Sequence, residues 1–284
     1  MHNNAPRGSV SRSLALTKPV SLLYGVLFLS AMVLLLIPNK VSAASFFYTF
    51  NTPGTLLEAG SMGESASPYF WLNSGGKFIL RDSVGGTIHG ALPLSDPWRI
   101  LYAASNPVDT DNGAHPQNLF RLVTKNVWQN ARAEAYFKID SDQLSASSNR
   151  NASNGLLLMN RYASNGQTLY YAGLRVDGNA VIKKKVNGSY TTLAVRKMFA
   201  GTYDRTAMPN ILPHRTWIGL RTETIDNADG SVMVKLYMDN GYTGVWKEIL
   251  STKDSVNPIR GNGYAGIRTD FMDVTFENYR ITSL

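Results

Sequence analysis

The sequence predicts an all-β protein, two antiparallel sheets packed as a sandwich, and three observations carry the prediction. From Ser45 onward apolar and polar residues alternate with a period of two, the mark of strands with one face in a core and the other in water. Asp-Gly and Asn-Gly pairs interrupt the alternation and supply the positive φ that tight hairpin turns need. No stretch carries a sustained helical stripe; Ala194–Phe199 has room for one short turn. Composition agrees. Of 284 residues, 44% are hydrophobic and 17% charged, enough for a core and far from a disordered or membrane-bundle make-up. There is no cysteine, so disulfides, thiol catalysis and thiolate metal sites are excluded.

Residues 1–43 stand apart. Arg7, Arg12 and Lys18 make a basic, serine-rich start, an uncharged run spans Val20 to Ile37, and Val41-Ser42-Ala43 suits signal peptidase. The run is also just long enough to span a bilayer, so the segment reads as a cleaved signal peptide or as an N-terminal membrane anchor. Either way the body, residues 44–284, is expected to be exported to the cell surface or the extracellular space, with the membrane involved only through that segment. Residues 1–43 hold four of the 28 basic residues and none of the 20 acidic ones, so the body keeps 24 against 20 and the net charge falls from +8 to +4. A balance this small gives no reason to expect nucleic acid as a partner.

Along the body, Arg132–Asp140 shows the alternation best. Arg132, Glu134, Tyr136 and Lys138 share one face, and Ala133, Ala135, Phe137 and Ile139 the other. Strands follow at 155–162, 169–177 and 180–186, with turns at Asp177-Gly178 and Asn187-Gly188. A strand at 215–224 precedes Ser231–Asp239, which buries Val232, Val234, Leu236 and Met238 between the turns Asp229-Gly230 and Asn240-Gly241. Strands at 245–251, 263–269 and 273–282 close the chain. With no linker-like composition and no internal repeat, 44–284 reads as a single domain. Three longer polar segments, 104–118, 141–154 and 196–214, break the short-turn pattern; such loops are usually functional or disordered.

Two stretches resemble a known superfamily. Tyr170-Tyr171-Ala172-Gly173-Leu174-Arg175-Val176-Asp177-Gly178, followed by a lysine-rich strand and Asn187-Gly188, is similar to the central strands of laminin-G-like and glucanase-like jelly rolls. Gly263-Tyr264-Ala265-Gly266-Ile267-Arg268-Thr269-Asp270, then Phe276-Glu277-Asn278-Tyr279-Arg280-Ile281, resembles their closing strand pair. The resemblance is to the concanavalin A-like lectin/glucanase superfamily and to no narrower family. It implies a two-sheet antiparallel jelly-roll sandwich and leaves function open, because that fold hosts lectins, hydrolases, lyases and adhesive modules.

Glucanases of the superfamily set paired carboxylates on one strand as Glu-x-Asp-x-Glu or Glu-x-Asp-x-x-Glu, so that one attacks the sugar while another protonates the leaving oxygen. None of Glu58, Glu64, Glu134, Glu223, Glu248 and Glu277 starts that pattern. A polysaccharide lyase instead needs a cation at the uronate carboxylate, a base for the C5 proton and an acid for the departing oxygen. Arg132-Ala133-Glu134 is similar to the Arg-x-Glu start of an alginate-lyase motif, and Tyr171-Ala172-Gly173 faintly to a later one whose lysine is missing here. Its Gln-x-His motif is absent. The lyase candidates are Tyr171, Arg132, Arg161, Arg175 and the loop histidine His115, with Arg121 joining them if the strands are neighbours; the alternative is that these are sheet-surface residues with cross-strand partners.

Metal chemistry narrows to calcium. His89, His115 and His214 stand at separations that give no transition-metal motif. Asp109-Thr110-Asp111-Asn112-Gly113 puts two carboxylates and a permissive glycine in one turn, which suits a structural calcium as well as it suits a simple Asp-capped turn. The resemblance implies a second calcium position near an acidic residue of the last strand, where Glu277 stands with Asp270 and Asp273 nearby. No organic cofactor is implied. Among the five tryptophans, Trp71 and Trp128 lie in loop-like company and are the candidates for exposed sugar platforms.

Together these readings favour an exported carbohydrate-binding protein that holds a polysaccharide on one sheet face through Arg132, Tyr136, Arg161, Tyr171 and Arg175 with Trp71 and Trp128. A lyase acting on an acidic, uronate-containing glycan ranks second and a structural or adhesive envelope protein third.

Overall fold

The computed structural model describes residues 44–284, which form the expected two-sheet antiparallel jelly-roll sandwich. β1 (Ser45–Tyr48), β2 (Gly54–Leu57), β3 (Phe70–Ser74), β4 (Lys77–Arg81) and β5 (Val84–Gly86) lead to a helix, α1 (Pro97–Ser105), and a 3-10 turn at Pro116–Leu119. Then come β6 (Arg121–Trp128), β7 (Ala131–Asp142), β8 (Gly155–Tyr162), β9 (Leu169–Arg175), β10 (Asn179–Val186) and β11 (Ser189–Lys197). β12 (Trp217–Asp226), β13 (Val232–Asn240), β14 (Lys247–Asp254), β15 (Gly263–Thr269) and β16 (Met272–Ser283) complete it. A nine-stranded sheet runs β14-β13-β12-β7-β16-β5-β4-β2, with β1 also paired to β16; a seven-stranded sheet runs β11-β10-β9-β8-β15-β6-β3.

The period-two pattern sets the core. Ala133, Ala135, Phe137 and Ile139 of β7 point inward, as do Val232, Val234 and Leu236 of β13. They meet Leu156, Leu158, Tyr170, Ala172, Leu174, Ala180 and Ile182 from the other sheet, all fully buried in one apolar cluster. Each such aliphatic or aromatic side chain contributes about 1.5–3 kcal/mol relative to leaving it in water. The turn chemistry also holds. Asn187 and Gly188 have φ of 48° and 85° and join β10 to β11 as a two-residue hairpin.

Three local expectations are corrected. α1 lies where no helix was expected: only Tyr102 of its nine residues is buried, so it shows no apolar stripe. Its start was nevertheless written in the chain, since the Asp96 side chain accepts the Trp98 N–H (2.9 Å) and Pro97 fills the first turn. Ala194–Phe199 makes no helical turn; Ala194 to Lys197 end β11, held extended by pairing with β10. Trp128, placed in loop-like company from its polar neighbours, is the last residue of strand β6.

Residues 1–43, with the signal-or-anchor reading, lie outside the described residues. Among the described residues no helix is long and apolar enough to cross a membrane.

Candidate functional site

Strand parity places chemistry on the outer face of the seven-stranded sheet. Tyr171 of β9 stands opposite Lys183 of β10 on one side and Met159 of β8 on the other. One row along, Arg268 of β15 is flanked by Leu157 of β8 and Arg121 of β6. Beneath them Trp71, Val123, Leu157, Met159, Tyr162 and Val181 form a second apolar cluster, separate from the inter-sheet core. This floor carries a cavity of about 410 Å³ whose polar lining includes Tyr171, Lys183, Tyr190, Arg268 and Asp270.

The cavity lining includes an arginine–aspartate pair satisfied on one side only. Arg268 Nε donates to Asp270 Oδ1 (2.9 Å), while Asp270 Oδ2 is buried without a hydrogen-bond partner. Tyr171 and Tyr190 meet edge to face with ring centroids 5.9 Å apart, and the Lys185 ammonium lies 5.2 Å from the Tyr190 ring centre. Their environments part the two phenols. Burial pushes Tyr171 well above the ordinary tyrosine value. Burial acts the same way on Tyr190, but the charge and hydrogen bonding of Arg268, and then those of Lys185, outweigh it and hold that phenol below the ordinary value. Burial and the nearby Arg175 charge lower the Lys183 ammonium.

One wall of the cavity is the 141–154 segment, through Asn149, Asn151 and Ser153. This polar loop is tied down along its length. Asp111 Oδ1 accepts the Ser145 hydroxyl (2.6 Å), and Asp109 Oδ1 accepts the Ser147 hydroxyl (2.5 Å) and the Asn149 amide (3.0 Å). Arg150 donates to Ser145 O (2.7 Å), and Arg205 donates to Ala146 O and Ser147 O (2.7 and 2.6 Å).

That arrangement engages both calcium candidates, Asp109 and Asp111, in hydrogen bonds to the loop. Asp109 Oδ2 accepts from Asn106 and Asn149, and Asp111 Oδ2 from Asn118 with His115 Nδ1 at 2.8 Å, so all four carboxylate oxygens already face N–H or O–H groups. A calcium ion bound here would have to displace those donors. At the other proposed position, Asp273 takes Gln117 and Gln143 amides on Oδ1 and Ser141 and the Gly90 N–H on Oδ2. Glu277 is engaged by the Tyr242 phenol, which burial and that contact push up to about 12. Among the described residues no three His, Asp or Glu side chains gather as metal ligands do. Gly113 is needed for another reason. Its φ is 77°, and an added Cβ would fall 1.9 Å from Arg99 O of α1. Gly113→Ala is therefore expected to cost at least the roughly 1–3 kcal/mol of left-handed strain, seen as a lower thermal midpoint that added calcium does not restore.

The other expected site residues are dispersed. Tyr171 belongs to the cavity. Arg175 shares its strand face but is committed, with Nε on Ala152 O (3.0 Å) and an ion pair to Asp177 (2.8 Å). Arg132 and Tyr136 lie on the outer face of the opposite sheet, where Arg132 pairs with Glu223 (2.5 Å) and the Tyr136 hydroxyl donates to Asp239 (2.8 Å). Arg161 reaches neither face. Its φ of 51° breaks the parity of β8 and turns the guanidinium inward onto Asp226 (2.6 Å). Arg121 does share a face with Tyr171, donating to Asn73 (2.9 Å). His115 stands against Asp111 and does not line the cavity. The two tryptophans are no platforms. Trp71 is 4% exposed with its indole N–H on Ala59 O (2.8 Å), and Trp128 is 9% exposed within the main core. Sequence reasoning missed Lys183, Tyr190 and Arg268, and offered Asp270 only as a neighbour of a calcium position. Arg268 and Asp270 were within reach, since they alternate on the Gly263–Asp270 strand used for the resemblance.

The described residues thus define an all-β jelly-roll sandwich with a cationic, tyrosine-lined cleft on one outer face. No family model matches the sequence, and no curated protein matches it. Among solved structures the chain is similar to a carbohydrate-binding module from Bacillus subtilis, at 15% identity over 57% of this chain and 81% of that one (TM-score 0.42). It is also similar to a β-glucanase from Bacillus licheniformis, at 10% identity over 86% and 99% of the two chains (TM-score 0.45). A third likeness is to a protein of unknown function from Shewanella oneidensis, at 12% identity over 95% and 96% (TM-score 0.41). These are likenesses of fold.

Proposed function

We propose that this protein is an exported carbohydrate-binding protein that holds an acidic polysaccharide in the cleft on the outer face of its seven-stranded sheet. The observation that carries the reading is the gathering in one cavity of two cations, Lys183 and the Arg268 that Asp270 orients, beside the paired phenols Tyr171 and Tyr190. A sugar unit of an acidic polymer brings both a charged group and an apolar face to such a lining. A carboxylate or sulfate on the same sugar would meet Arg268 and Lys183, and the faces of Tyr171 and Tyr190 suit its apolar C–H surface. The basic start, apolar run and small-residue pattern of residues 1–43 support export.

The test is affinity electrophoresis of the purified protein through gels containing polygalacturonate, alginate or a sulfated galactan. Retardation by at least one of these, weakening as salt rises, is expected; free migration through all of them would refute the reading.

A second reading, cleavage of the bound acidic glycan by β-elimination, is favoured by one observation: adjacent phenols with oppositely displaced pKa values, Tyr190 low and Tyr171 high, beside the cation that would neutralise the uronate. It is checked on the same polymers by ultraviolet absorbance from unsaturated uronate ends, and a flat trace would leave binding alone.

A further inference from the structure

We infer a second binding site on the outer face of the nine-stranded sheet, a cleft around Asp140 and His89 that takes an uncharged saccharide unit. The cavity there, about 650 Å³, is larger than the one on the opposite face and lies within the roughly 300–1,000 Å³ range of small-molecule sites. Its floor is made by β4, β5, β7 and β16, and its rim by the segment from Thr87 to Asp96 that leads into α1.

The polar lining is arranged in pairs. On one wall Asp140 Oδ2 accepts the Thr275 hydroxyl (2.5 Å) and lies 3.5 Å from His89 Nε2, while Asp140 Oδ1 has only the Lys138 ammonium at 3.7 Å. Asp140 and Lys138 keep a quarter to a third of their side-chain surface in solvent, and His89 nearly half. On the other wall Lys77 is paired with Asp96. The lining therefore holds three side-chain cations, Lys77, Arg81 and Lys138, and three carboxylates, Asp82, Asp96 and Asp140. With carboxylates and ammonium groups interleaved, a charged ligand meets attraction and repulsion together and gains little. A ring of vicinal hydroxyls, each both donor and acceptor, can serve both, and Ile79, Leu92 and Pro93 offer apolar surface for its C–H face. The opposite cleft, with Arg268 and Lys183 against Asp270 alone, has the other preference. The inference goes beyond the acidic-glycan reading and does not depend on it.

The experiment runs the full chain and its variants through gels containing neutral polymers (a β-glucan, a galactan, a mannan and a xylan) and, in parallel, through a polygalacturonate gel. At least one neutral polymer should retard the wild type. Asp140→Asn should weaken that retardation at least about tenfold in apparent affinity while leaving migration in polygalacturonate unchanged, and Arg268→Ala should do the reverse. His89→Ala, a change at a half-exposed ring, supplies the decisive result if Asp140→Asn fails to fold. No retardation by any neutral polymer, or wild-type retardation in the folded variants at both positions, overturns the inference. Loss of polygalacturonate binding alone would count only against the first cleft.

Discussion

Replacing Arg161 by methionine is expected to destabilise the sandwich by about 3–5 kcal/mol, the scale for removing one member of a buried ion pair. The Arg161 side chain is 1% exposed, and it makes four hydrogen bonds from inside the end of the sandwich. Nη1 donates to Asp226 Oδ1 and Ile259 O (2.6 Å each), and Nη2 to Gln129 O and Asn130 Oδ1 (3.3 and 3.4 Å). These bonds tie β8 to the β6–β7 turn, to the end of β12 and to the segment before β15. Methionine fills much of the volume but leaves Asp226, 7% exposed, with Arg260 as its remaining cation, half exposed and 3.5 Å away. Urea unfolding followed by tryptophan fluorescence measures the change. A loss below about 1 kcal/mol would mean that Arg260 and the Gln129 amide already carry the site. Adding Asp226→Leu to Arg161→Met should recover part of the loss, because desolvating an unpaired carboxylate is the larger share of the cost.

Arg268→Ala is expected to have the largest effect on binding, weakening retention in acidic-polymer gels by at least about 30-fold, equivalent to about 2 kcal/mol or more. Arg268 is the cation of the cleft held by a buried partner, so its guanidinium is already oriented when a ligand arrives. The variant also strands Asp270 as a buried carboxylate without its cation. A thermal midpoint must therefore be read beside the binding curve, and the pair Arg268→Ala with Asp270→Asn separates lost recognition from lost stability. If that double variant is folded and binds like the wild type, Arg268 does not recognise the ligand. Asp270→Asn alone should keep most of the affinity for the acidic polymer, since it leaves both Arg268 and Lys183 in the cavity.

Much of the fold was legible in the chain. The strands expected at 155–162 and 263–269 agree with β8 and β15 to the residue, and those at 180–186 and 273–282 fall within one residue of β10 and β16. The short strands β1 to β5 and the exposed edge strand β11 were harder to see. β5 has three residues, too few to show a period, and every residue of β11 is exposed or half-buried, so no apolar face marks it. The candidate site was legible only in part. Tyr171 stands where its strand parity places it, whereas Arg161 does not, because one residue of positive φ turns the chain over and arginine gives no warning of that conformation as Asn-Gly does. Trp71 and Trp128 were misjudged from polar sequence neighbours, although burial depends on what packs across the sheet.

Local chain chemistry sets the all-β class, the faces of the longer strands and the hairpin turns. These follow from interactions between residues two apart or adjacent in the chain: side-chain alternation on a pleated strand, and the positive φ open to glycine and asparagine. Which strands share a sheet is settled by packing across the whole sandwich. Arg132 and Tyr171 each face outward from their strands, yet β7 and β9 belong to different sheets and the core lies between them. Conversely Lys183 and Arg268, 85 positions apart in the chain, line one cavity because β8 and β9 pair between β15 and β10. Such pairing is a long-range choice made by burial of the whole core, and no local period encodes it.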